Sequence, residues 1–240
     1  MVTNNLGNSF ERISWSDALS EVSQLVSNAS SPLMITAPIS GAIARVTQEF
    51  VEATGGRHAV YEPDEFVVLR QAMQRVFGSD RLPGLDIANA GAVVSFGADF
   101  LHNWISPVQF SVGYGEFRQG SDRERGLYYH VGPRLSDSAS SADRWFPNVP
   151  GTEGLIALAV AYTMVQEGMA TEDRASQVFG GISLADYAPE AIADQTGLSA
   201  DQIRDIARTL GRNAPSIAIA GGSAAAHTNG LFNLAAVFAL

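Results

Sequence analysis

The chain contains no cysteine. That excludes a disulfide framework, a thiolate-ligated iron–sulfur cluster and a zinc–thiolate site within these residues. Lysine is also absent, and all fifteen basic residues are arginine. We read this as the compositional bias of a GC-rich genome, although arginine still pairs bidentately with carboxylate or phosphate. Positive charge is scarce overall. The formal net charge of −10 argues against a general nucleic-acid role. Histidine occurs four times, at His58, His102, His130 and His227, without the spacing of a metal-ligand set. No basic stretch followed by an apolar core marks a signal peptide near Met1. The longest apolar run, Leu155 to Val165, contains Thr163 and is too short to span a bilayer.

What is present is an alternation of strand-like and helix-like segments punctuated by glycine. At 240 residues and 46% hydrophobic content, the chain can form one large α/β domain, or a domain plus a lobe. Ser14 reads as a helix cap before an apolar stripe of Trp15, Ala18, Leu19, Val22, Leu25 and Val26. Pro32–Ala37 reads as a buried strand, Ile39–Thr54 as a helix and Ala59–Tyr61 as a short strand. A helix from Asp64 or Glu65 runs to Gly78. Strands follow at Ala92–Phe96, Leu127–Val131 and Ile217–Ala220, with helices at Ser106–Phe117, Thr152–Val165 and Leu231–Leu240. Residues 180–189 read as a connection. Ser199 to Gln202 is a capping-box signature, opening a helix that ends at Gly211 with Ile203, Ile206, Ala207 and Leu210 inward. The pattern predicts a doubly wound, mainly parallel, Rossmann-like sheet. Sub-lobes are expected at about residues 9–90 and 91–240.

Four glycine-bearing junctions carry the functional signal. Gly97-Ala98-Asp99 closes a buried strand, where glycine lets the chain turn and a ligand approach, or simply makes an ordinary strand-end turn. Gly132-Pro133-Arg134 follows the next strand, and Arg134 could hold a phosphate or form a structural ion pair with Asp143. Pro150-Gly151-Thr152-Glu153-Gly154 precedes an all-apolar helix; its amides and the Thr152 hydroxyl suit a phosphate, or Thr152 is a plain N-cap. Gly221-Gly222-Ser223, leading to His227-Thr228-Asn229-Gly230, is a third strand–glycine–helix junction, open to a nucleotide or to close packing.

In order and company, these junctions resemble the molybdopterin oxidoreductase superfamily of the dimethyl-sulfoxide-reductase type, over roughly Ser9 to Leu240. Gly97-Ala98-Asp99-Phe100-Leu101, Tyr114 to Gly120 and Tyr61-Glu62-Pro63 resemble one branch, the large iron–sulfur subunit of alternative complex III and of menaquinone reductase complexes. The resemblance implies that Gly97, Ala98, Asp99, Arg134, Gly151, Thr152, Gly221, Gly222 and His227 mark a pterin-nucleotide site, functional or vestigial. It also implies an acidic residue where this chain has Gly132. In the expected metal-ligand loop there is neither Cys nor Ser; Glu62 and Asp64 are the possible oxygen ligands, or they favour the dipole of the following helix.

Three readings follow. The first is a scaffolding domain of a membrane-peripheral electron-transfer complex, on the periplasmic side, with no cofactor of its own. Its partners would be iron–sulfur domains of the same chain, plus cytochrome and integral membrane subunits. The second is a fragment of an enzyme carrying molybdenum bis-molybdopterin guanine dinucleotide. The third is an unrelated α/β nucleotide-binding domain. Leu240 falls inside an apolar helical pattern, so a piece of a longer chain is expected, with Phe232, Val237, Phe238 and Leu240 displayed for docking.

Overall fold

A computed structural model describes residues 3–5, 10–62, 66–119 and 124–240, with backbone only for residues 3–5, 10 and 11. The chain divides into two compact units, Met1–Pro63 and Asp64–Leu240.

In the first unit, β1 (Thr3–Asn5) pairs antiparallel with β2 (Phe10–Arg12). Helix α1 (Trp15–Asn28) starts where expected: the Ser14 hydroxyl accepts the Asp17 amide at 3.2 Å. Strand β3 (Leu33–Thr36), helix α2 (Gly41–Ala53) and strand β4 (Arg57–Val60) make a β–α–β unit whose two strands pair in parallel. The expectation of a buried strand at 32–37 is not met. Leu33 and Ile35 are exposed, as are Val60 on β4 and Trp15, Leu19, Val22 and Leu25 on α1. A parallel sheet is normally covered on both faces, and two strands with one connecting helix leave most of that surface open.

The second unit begins with α3 (Phe66–Phe77) and contains a four-stranded sheet. Its elements are β5 (Ala92–Phe96), α4 (Pro107–Gln119), β6 (Leu127–Val131), α5 (Asp137–Ser140), β7 (Arg144–Phe146), α6 (Glu153–Gln166), α7 (Glu172–Phe179), α8 (Pro189–Thr196), α9 (Ala200–Arg212), β8 (Ser216–Ala220) and α10 (Gly230–Phe238). The order is β7-β6-β5-β8 and every pairing is parallel. Strands progress outward from β5 through β6 to β7, then the chain returns to the other side of β5. This is the switch point of a doubly wound sheet.

Register assigns the two faces. Val93 sits between Tyr128 and Ile217, and Ser95 between His130 and Ile219, so these side chains share one face. There Tyr128 meets the edge-on rings of Phe100 and Tyr114, and Phe100 meets Phe110 of α4. On the opposite face Tyr129 packs on Phe146, Arg144 lies over both rings, and Arg144 pairs with Asp205 of α9. Helix α6 is apolar nearly all round and, as expected, is buried along most of its length against α8, α9 and α10.

Some boundaries and elements differ from the expectation. Helix α9 has its capping box and buries Ile203, Ile206, Ala207 and Leu210, but continues past Gly211 to Arg212. Gly211 is small because a Cβ there would meet the Met169 side chain. The stretch read as a connection contains the start of α8, with Pro189 in its first turn, where a missing N–H costs nothing. Strand β7 and helix α7 were not anticipated. The C-terminal docking patch is also corrected. Val237 is fully buried, while Phe232, Phe238 and Leu240 are half-buried, because α3 and α6 both cover α10; Phe77 meets Phe238 edge-on at 6.3 Å.

Candidate functional site

In a doubly wound sheet, ligands bind beyond the carboxyl ends of the strands at the switch point. Here that place lies between the ends of β5 and β8, at Gly97-Ala98-Asp99 and Gly221-Gly222. Gly97 has φ +74° and Gly222 φ +54°, the left-handed region that glycine tolerates. Both glycines are also tightly enclosed. A Cβ on Gly97 would sit 2.6 Å from the Ser223 hydroxyl and 2.7 Å from the Gly221 carbonyl oxygen. A Cβ on Gly222 would collide with the Gly97 carbonyl oxygen, and one on Gly221 with the indole of Trp104. The glycines that suggested a ligand cradle therefore let the two turns and Trp104 close on one another. Ala98 and Ala224 are buried in the same junction. The Trp104 Nε1–H is buried without a partner.

Asp99 is largely buried and engaged from within the chain. Its Oδ1 accepts the Ser138 amide at 3.0 Å and the Ser136 hydroxyl at 3.1 Å, and its Oδ2 lies 3.6 Å from Arg134. Burial disfavours the charge, but the hydrogen bonds from Ser138 and Ser136 outweigh it and hold the carboxyl below its usual range. Arg134 thus pairs with Asp99, not with Asp143 as the sequence suggested. Asp143 is taken by Arg118, with a 2.7 Å bond from Nη2 to Oδ1 and a second from Nη1 to Oδ2, and by the Tyr128 amide at 2.9 Å. The Arg134 side chain is 77% exposed and open to a solvent anion.

Gly132 lies beside the same turn. A Cβ there would fall 2.8 Å from His130 Nε2 and 3.8 Å from the Gly97 Cα. His130 is buried, its Nδ1 lies 3.0 Å from the Tyr128 hydroxyl, and burial lowers its pKa to about 4. It is a neutral imidazole at pH 7 filling the space into which a residue-132 side chain would project.

The second cluster is at the amino end of α6. Gly151, with φ +82°, faces the exposed His227 ring, which would be 3.2 Å from a Cβ. Asn229 Nδ2 donates to the Gly151 carbonyl at 2.9 Å. The Thr152 hydroxyl donates to the Val149 carbonyl at 2.6 Å and accepts from Asn148 Nδ2 at 3.2 Å. It neither caps α6 nor points free toward an anion. The cap comes from Asn233 of α10, whose Oδ1 accepts the Gly154 amide at 3.1 Å while its Nδ2 donates to the Ala224 carbonyl at 3.0 Å. Glu153 is 0% exposed, and its Oε1 has no partner. Sequence reasoning missed Asn233 and Glu153. The available signal was a lone Asn in the apolar run Leu231–Leu240, and a carboxylate opening an apolar helix.

Of the metal-ligand candidates, Glu62 is half-buried in the first unit and Asp64 lies outside the described residues. Among the described residues no group of three or more His, Asp or Glu is placed to hold a metal. No helix of the described residues is long and apolar enough to cross a membrane.

A parallel sheet with glycine turns at its switch point is the architecture of doubly wound, nucleotide-binding α/β domains. The sequence matches the family model for molybdopterin oxidoreductases over residues 3–240, and the chain belongs to that family. This removes the unrelated nucleotide-binding domain from consideration. The chain is 26% identical over 182 residues to the menaquinone reductase molybdopterin-binding-like subunit of Nitratidesulfovibrio vulgaris, covering 76% of this chain and 26% of that protein. A probable dimethyl sulfoxide reductase chain of Escherichia coli (strain K12), YnfF, is 27% identical over a 259-residue alignment, covering 92% and 32%. Acetylene hydratase from Pelobacter acetylenicus shares the fold, with a TM-score of 0.66 at 19% identity over 98% of this chain and 34% of that one. The chain spans between a quarter and a third of the length of these relatives.

For a pterin guanine dinucleotide, the switch-point residues do not fit. The glycine turns are filled by each other and by Trp104, Asp99 is held by Ser136, Ser138 and Arg134, and His130 occupies the space beside Gly132.

Proposed function

We propose that this chain is a scaffolding domain of an electron-transfer complex, without a molybdenum centre of its own. The complex is of the alternative complex III type, oxidises quinol in a respiratory or photosynthetic chain, and is peripheral to the bacterial cytoplasmic membrane on its periplasmic side. Iron–sulfur domains of the same polypeptide, a cytochrome subunit and integral membrane subunits are its partners. The observation that carries the reading is the closed switch point, where a Cβ on Gly97 or Gly222 would strike the opposing turn. Gly132 supports it, since glycine offers no side-chain acceptor to a ribose or guanine. The relative named as a molybdopterin-binding-like subunit of menaquinone reductase points to the same kind of assembly.

A second reading, a fragment of a molybdenum bis-molybdopterin guanine dinucleotide oxidoreductase, is favoured by one feature. Glu153 carries a buried oxygen without a partner at the α6 amino end. Elemental analysis with pterin extraction separates the two readings. The protein is expressed from its whole gene in cells that synthesise the pterin. The scaffolding reading predicts molybdenum and tungsten far below one per chain. Stoichiometric metal overturns it, and Glu62 and Asp64 are then the first ligands to replace.

A further inference from the structure

We propose that Trp104 is a gate on the switch point, its indole swinging about Ile105 between the buried position and an open one that uncovers Gly221. The inference rests on the closed switch point of the scaffolding reading and concerns how that closure is held. Two features at consecutive residues carry it. The Trp104 side chain is 1% exposed, yet its Nε1–H has no hydrogen-bond partner. A buried donor left unpaired disfavours the conformation that buries it. Ile105 follows with φ +51°, and among the described residues it is the only non-glycine at positive φ. Left-handed backbone is strained for a β-branched residue. Such outliers persist only where their surroundings over-determine them, and they gather at switches and ligand clamps. Rotation of Ile105 to extended backbone relieves the strain and releases the indole to water, where its N–H is satisfied. One hinge residue removes both penalties.

Burial opposes the opening. The indole stacks on Phe110 with ring centroids 5.7 Å apart, and it seals Gly221, where a Cβ would fall 2.2 Å from Nε1. That packing keeps the closed form dominant. The flanks confine the motion. Before the hinge, the His102, Asn103 and Trp104 amides all donate to the Asp99 carbonyl. The Leu101 amide donates to the Ser138 hydroxyl, and His102 Nδ1 lies 3.1 Å from Asp137. After the hinge, the Ser106 carbonyl accepts the Phe110 amide in the first turn of α4. Trp104 and Ile105 thus move between two anchored ends, the arrangement of a hinge. The Asp99 carboxylate keeps its bonds from Ser136 and Ser138 throughout.

The test is hydrogen exchange of the Trp104 indole N–H. It is followed by NMR on protein expressed from its whole gene with isotope-labelled tryptophan, the signal being assigned through Trp104→Phe. The proposal predicts exchange at least about 100-fold faster than global unfolding allows and unchanged by low denaturant, because a local opening suffices. Exchange that follows global unfolding overturns it and leaves the switch point permanently closed. Exchange as fast as that of the exposed Trp15 indole also overturns it, and shows instead that the switch point is not closed at all. Two variants check the hinge. Ile105→Asn and Ile105→Thr both replace the apolar side chain with a polar one, but asparagine tolerates left-handed backbone and β-branched threonine does not. The asparagine variant therefore holds the closed position better, and its Trp104 indole exchanges about tenfold more slowly than that of the threonine variant. Equal rates, or faster exchange in the asparagine variant, overturn the proposal.

Discussion

Residues 10–62 and residues 66–240 are built from the same parallel β–α units and end in opposite states of packing. In the second unit the large side chains close over the sheet; Trp104 is 1% exposed, and Phe96, Phe100, Phe117 and Tyr128 are fully buried. In the first unit the only buried side chains among the described residues are Ala18 and Thr47, and Trp15 is 74% exposed. Amphipathic patterning identifies the apolar face of an element but not what covers it. Four strands flanked by helices cover themselves, whereas two strands and their helices do not.

The comparison is broken most directly by matched truncations. Trp104→Ala removes a packed indole and is expected to cost about 3–5 kcal/mol in denaturant unfolding, whereas Trp15→Ala costs under about 0.5 kcal/mol. Equal losses would mean that the first unit is packed in solution.

His130 gives the next largest effect, through pH. Its folded pKa is depressed to about 4 by burial. Its neutral form is therefore the stable one: the contribution is complete above the ordinary histidine value of 6.5 and is lost as the pH falls toward 4. The loss approaches about 3 kcal/mol. Unfolding curves at pH 7 and at pH 4.5 check it, and a His130→Gln variant lacks that slope.

Gly222→Ala forces a left-handed alanine against the Gly97 carbonyl, at about 2–3 kcal/mol, and thermal unfolding reads the loss. An unchanged midpoint would mean that the two turns are farther apart than described.

Asp99→Asn weakens the bonds to Ser138 and Ser136, at about 1.5 kcal/mol, while Arg134→Ala, with its side chain mostly in solvent, costs about 0.5 kcal/mol or less. The Asp99 carboxyl is held below its usual range, so its contribution is present above that range and lost as acid protonates it. Comparing the acid unfolding limbs of the two variants shows which group carries the junction.

Much of the second unit was legible in the sequence because its signals are local. β5 and β6 were placed to the residue by apolar runs ending at Gly97 and Gly132, and α9 by the Ser199–Gln202 box. What escaped was set by distant partners. Three-residue β7 exists only beside β6. The α6 cap comes from Asn233, 79 residues from Gly154. Arg134 chose Asp99 over Asp143 because Arg118 had claimed Asp143 with two bonds. Of the candidate site residues, Gly97 and Gly221 lie at the carboxyl ends of β5 and β8. Glycine, however, reads alike in sequence whether a ligand or another backbone approaches it, and only the Gly97–Gly222 contact distinguishes the two.

The most direct test of the closed switch point is calorimetric titration of guanosine diphosphate into the protein expressed from its whole gene, near neutral pH. Because the turns at Gly97 and Gly222 fill each other and Asp99 is already engaged, the account predicts no saturable heat up to about 1 mM nucleotide, the weak-binding end of the affinity scale. A saturable isotherm with one site per chain and a Kd of about 10 μM or tighter, lost on Arg134→Ala, would contradict it.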